Sequence, residues 1–148
     1  MPLIETYLAS KKRVNPTDAH IIDVTPLRRG RMLNALAPEE MLSREWSRNQ
    51  IVWKLYVERY YQQIKDSEEA NHLLEWIIEN SVTETICLRG LEKEYPGPRF
   101  LIIEVVDKVH SARGIIDAPR EYSDLYKRYK NLYRAQITHM KKNRLFLY

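Results

Sequence analysis

Arginines are the residues of this chain best placed to do chemistry. Arg28, Arg29 and Arg31 crowd the segment Thr25-Pro26-Leu27-Arg28-Arg29-Gly30-Arg31, and Arg89, Lys93 and Arg99 recur in LRGLEKEYPGPR. A guanidinium is planar, permanently charged and able to grip two oxygens of a phosphate or carboxylate at once. Gly30, Gly90 and Gly97 stand beside these cations, where a missing side chain lets a ligand approach the backbone. The plain alternative is a set of ion pairs with Asp23, Glu39, Glu92 and Glu94, since runs of charge usually lie on solvated faces. Asp23 and Glu92 are the only weak candidates for a general acid/base pair; Asp23 could instead cap its loop or pair with an arginine. Cys87 is the only cysteine. It is either a nucleophile charged by Arg89 or a small buried hydrophobe. His20, His72, His110 and His139 show no spacing for two ligands on one helical turn, and one thiol cannot build a structural zinc site. No pattern names a cofactor or a reaction.

The elements that must position these side chains follow from the hydrophobic pattern. Leu3 to Leu8 predicts a first strand and His20 to Val24 a second, the latter nearly continuously apolar as if buried on both faces. Pro38-Glu39-Glu40 predicts a helix start, with that helix running to about Trp46. Ser47-Arg48-Asn49-Gln50 fits a capping box for a helix bearing Trp53, Tyr56, Tyr60 and Ile64 on one face. Asp66, with Glu69 three residues on, predicts the cap of a third helix striped by Ala70, Leu73, Leu74, Ile77 and Ile78 and ending near Asn80. Val82 to Leu88 predicts a third strand. Phe100 to Val109 suits either a strand or a helix; Pro98 at its start and the grouping of Glu104, Asp107 and Lys108 favour helix.

From Arg120 a long helix is expected to about Lys142, with Tyr122, Tyr126, Tyr129, Tyr133, Ile137 and Met140 at spacings of three and four. Lys127, Lys130, Arg134 and Lys141 lie on another face, where they are candidates for contacting nucleic-acid phosphates. The simpler reading packs the tyrosine stripe on the domain or on a second copy of the chain. Leu145 to Tyr148 would be a short edge strand or a frayed end.

Strand–helix alternation predicts a single α/β domain: a small, mostly parallel sheet flanked by helices, with a core over 1–113 and a basic, Tyr-rich helical extension over 114–148. Right-handed crossovers would bring the loops after Val24 and Leu88 to face each other. At 148 residues, 44% hydrophobic and 30% charged, the chain is long enough and apolar enough for one core. Its net charge of +4 resolves into +5 over Gly114–Tyr148 and −1 elsewhere, so the basic excess belongs to the extension. Apolar runs fall far short of the roughly 20 residues of a membrane span, and the broken apolar start does not resemble a signal peptide. A cytoplasmic location and no membrane partner are expected.

The order of motifs (IETYLA, IIDVTPLRRG, NALAPEE, WKLYVERYYQQI and ICLRGLEKEYPGPR) resembles the domain of unknown function 488 family over roughly residues 3 to 109. The resemblance implies a strand ending in Cys-Tyr-Glu-Lys, followed by a helix opening with Cys-His-Arg. Aligned without gaps, Glu92-Lys93 and Arg99 match the family's Glu-Lys and Arg. Gly90, Gly97 and Pro98 stand at its two cysteines and its histidine, and recovering the first cysteine with Cys87 would take an insertion. The resemblance brings no settled activity. It implies that this chain lacks any thiol or imidazole chemistry the family performs there, leaving a non-catalytic or degenerate site for an anionic ligand; the alternative is a hydrolase or transferase using Asp23 and Glu92.

Overall fold

The computed structural model describes residues 3–8, 20–25, 35–91, 97–114 and 120–121; for 3–8, 91 and 120–121 it describes the backbone alone. In chain order the elements are β1 (Leu3–Leu8), β2 (His20–Asp23), α1 (Glu40–Ser47), α2 (Trp53–Lys65), α3 (Glu68–Asn80), β3 (Ile86–Leu91), α4 (Pro98–Ala112) and β4 (Arg120–Glu121). The strands form one sheet in the order β2-β3-β1-β4.

The α/β class is as expected, and β2 runs parallel to β3 after a crossover of three helices. The sheet is nevertheless mixed. β1 is antiparallel to β3 over its whole length, and β4 is antiparallel to β1 at Tyr7 and Leu8. Strand–helix alternation fixes direction only between strands joined by a helical crossover, and β1 is joined to β2 by none among the described residues. The long helix expected from Arg120 therefore does not begin there: Arg120 and Glu121 extend the sheet. The rest of that expected helix, and the strand expected over 145–148, lie outside the described residues.

One core forms between a single face of the sheet and the helices. Ile22 and Val24 of the β2 segment and Ile86 and Leu88 of β3 join the buried faces of all four helices. Ile22 is 7% exposed and its neighbour Ile21 is 55% exposed. The apolar run HIIDV thus alternates, rather than being buried on both faces: among the described residues the helices cover the side of β2 that carries Ile22 and Val24. The stripes expected of the helices are buried: Trp53, Tyr56, Tyr60 and Ile64 on α2, and Ala70, Leu74, Ile77 and Ile78 on α3, with Leu73 only partly buried. Trp53 stacks on Tyr56 and meets Phe100 of α4 edge-on, which ties α2 to α4. In α4 Phe100 to Ile103, Val105 and Val106 are all buried, so the helix is apolar nearly all round. That burial is why its sequence also suits a strand.

Helix ends differ from expectation in informative ways. Ser47-Arg48-Asn49-Gln50 closes α1 rather than opening α2. Asn49 adopts a left-handed φ of 56°, its N–H donates to the Trp46 carbonyl, and the Gln50 N–H reaches back to Glu45. Free carbonyls at a helix end favour this arrangement, and asparagine tolerates it better than most side chains. α2 has no side-chain cap. The cap of α3 is Ser67, one residue after Asp66; its hydroxyl accepts the Ala70 N–H at 3.1 Å. Val82 to Thr85 do not start β3. The N–H groups of Thr83 and Glu84 turn back to the Asn80 carbonyl, satisfying the end of α3.

Candidate functional site

The later start of β3 carries it through Arg89 and Gly90 to Leu91, so Arg89 belongs to a strand and not to the loop expected after Leu88. The parallel register sets Arg89 against Asp23, and the antiparallel register sets it against Glu5. The Val24 N–H donates to the Arg89 carbonyl at 2.8 Å, which locks the carboxyl ends of β2 and β3 side by side. Ligands of open α/β sheets commonly bind at such ends. Asp23 is half-buried, and its Oδ1 accepts the Thr25 N–H at 2.9 Å. This is the loop-closing role open to Asp23 from its sequence position; an Asx turn holds the backbone as it leaves β2.

α4 begins beside these ends. Gly97 is its N-cap without a side-chain bond, Pro98 occupies the first turn, and no acidic residue follows in that turn. Proline suits this position because its missing N–H would have no helical partner. Arg99 comes next and is 1% exposed. Its side chain lies across β3 at Gly90: a Cβ built there would stand 2.8 Å from Arg99 Nε and 3.3 Å from both Cδ and Cζ. The space at Gly90, expected to admit a ligand, holds an arginine instead.

Upstream, α2 fastens the residues that follow the basic loop. Tyr60 donates its hydroxyl proton to the Leu36 carbonyl at 2.7 Å. Gln63 donates to the Ala37 carbonyl at 2.7 Å and accepts the Glu39 N–H at 2.9 Å. One carboxamide thus reads both sides of the chain, as a neighbouring strand would. Burial pushes the Tyr60 phenol far above its ordinary value of 10.0, so it remains a donor. Sequence reasoning saw Tyr60 only as part of an apolar stripe and missed Gln63 and Thr25. The i, i+3 spacing of Tyr60 and Gln63 was the available signal.

Of the expected site residues, Asp23 and Arg89 are paired in register, whereas Arg99 lies against the neighbouring Gly90, on the sheet face that carries Ile86 and Leu88 and from which Asp23 and Arg89 alternate away. Arg28, Arg29, Arg31, Glu92 and Lys93 lie outside the described residues, as do Lys127, Lys130, Arg134 and Lys141. Cys87 is 2% exposed and is the second residue of β3, consistent with the small-hydrophobe reading. His110 is buried at the end of α4 and donates from Nε2 to the Ile78 carbonyl at 2.8 Å, which ties α4 to α3. Among the described residues no three His, Cys, Asp or Glu side chains gather as a metal site, and no helix is long and apolar enough to cross a membrane. Comparison with family models, curated proteins and solved structures gives no match.

Proposed function

We propose that this chain is a non-catalytic or catalytically degenerate α/β protein of the cytoplasm that binds an anionic, phosphate-containing ligand. The site lies where the carboxyl ends of β2 and β3 meet the start of α4. The carrying observation is Arg99: a permanent cation, 1% exposed, in a first helical turn with no acid. Burial disfavours a charge, and the positive end of a helix disfavours a cation. Choices that break two local rules together are typical of functional positions. Arg99 has partners within the protein; a bound anion adds to them, and Arg28, Arg29 and Arg31 follow the end of β2 closely in sequence.

The resemblance to the domain of unknown function 488 family belongs to the same proposal. Gly97 and Pro98, at its cysteine and histidine, serve here as helix-start residues, which supports binding without thiol or imidazole chemistry. The acid/base reading through Asp23 and Glu92 draws no comparable support, because Asp23 already accepts the Thr25 N–H.

Isothermal titration with inorganic phosphate, pyrophosphate and nucleotides tests the proposal. One of these is expected to bind, with affinity falling about tenfold or more in Arg29→Ala plus Arg99→Met, the scale of a lost charge-assisted bond. Absence of binding, or an affinity untouched by both substitutions, removes it.

A further inference from the structure

We infer that Gly90 is a positioning residue of this site, and that its missing side chain is the slot that fixes the guanidinium of Arg99. The inference rests on the anion-binding reading for its functional consequence, but its geometry stands apart from that reading. Gly90 lies in β3, with Arg89 and Leu91 on either side in the same strand. Its conformation requires no glycine, since it is not among the residues with positive φ. A glycine inside a strand weakens it and commonly marks close approach by another group. Here the approaching group is Arg99, whose Nε, Cδ and Cζ all fall within 3.3 Å of where a Cβ would stand.

The atoms in conflict belong to the outer part of a long side chain, not to backbone. A methyl group at position 90 therefore displaces the guanidinium while leaving β3 and its ladders in place. Arg99 is 1% exposed, so the displaced head has to take a new position in a packed interior. The slot holds the planar head at one place near the helix start, and a buried cation is screened little by water. Lysine at position 99 would lack the planar fork and would not reproduce this arrangement.

The test pairs two readouts on Gly90→Ala, with Arg99→Met and the double variant as controls. The first is the Arg99 Nε–H resonance in nitrogen-15 NMR spectra, assigned by its loss in Arg99→Met. It should be protected from exchange in the unaltered protein, and shifted and exposed in Gly90→Ala. The second is pyrophosphate affinity by titration calorimetry. Gly90→Ala should lower it by about tenfold, the scale of one charge-assisted bond, with no further loss when added to Arg99→Met. Backbone amide spectra should show the sheet intact. An unmoved Arg99 resonance in Gly90→Ala overturns the slot, and a moved resonance with unchanged affinity overturns the positioning role. If the unaltered protein binds no anion, the anion-binding reading and the functional half of this inference both fall, and the resonance alone decides the interlock.

Discussion

Arg99 and Tyr60 are both buried polar side chains, and they pose opposite problems. Tyr60 places one neutral donor on one carbonyl, Leu36. Tyr60→Phe keeps the ring stack with Tyr56 but leaves that carbonyl without its bond. A loss of about 1–2 kcal/mol is expected from denaturant unfolding. The phenol's pKa, raised by burial, adds a pH signature. The unfolded chain releases this proton above its ordinary pKa of 10.0, whereas the folded chain retains it. The stability contribution is thus fully present below pH 10 and declines above it, by about 1.4 kcal/mol per pH unit for this one group. Unfolding curves of Tyr60→Phe should show a shallower alkaline decline than the parent. Arg99 instead buries a charge. If it serves a ligand, Arg99→Met should cost less than about 2 kcal/mol in ligand-free protein, because an apolar side chain of similar length relieves the cost of burying a cation and so offsets the loss of its partners within the protein. A loss of about 3–5 kcal/mol, as for half of a broken buried ion pair, would mark it as structural.

At the scale of elements, the ends of helices carry more information than their middles. The stripe of α3 fixes its register and buried face, but Ser67 rather than Asp66 fixes where it starts, because that hydroxyl meets the Ala70 N–H. α1 stops where Asn49 turns left-handed. Asn49→Ala is expected to cost about 1 kcal/mol, since an ordinary side chain strains that backbone, whereas Asn49→Gly should match or exceed the parent. Equal melting temperatures for all three proteins would show that the turn survives without its left-handed residue. The start of β3 is set in the same way, by Asn80 accepting the N–H groups of Thr83 and Glu84. That turn moves Arg89 and Gly90 from an expected loop into the sheet, and so sets Gly90 against Arg99.

For the whole molecule, the central strand is the natural probe. β3 lies between β2 and β1 and carries the single cysteine. Cys87 is 2% exposed, so its alkylation by iodoacetamide should follow global unfolding, with a rate that rises with denaturant in step with loss of structure. Rapid labelling of native protein would place an opening at the centre of the sheet. The sequence alone determined the four helices between Glu40 and Ala112, most of their buried stripes, two of the strand positions and the concentration of arginines near strand ends. These features repeat along the chain with the period of a helix or strand, or carry local signals such as Pro98. Only the tertiary structure decided that β1 is antiparallel, that β2 has one buried face, that Gly90 receives Arg99, and that Asp23 closes its own loop. Each depends on which distant segment lies alongside. Side-chain periodicity does not encode strand direction, and a glycine in a sequence does not disclose what fills the space it leaves.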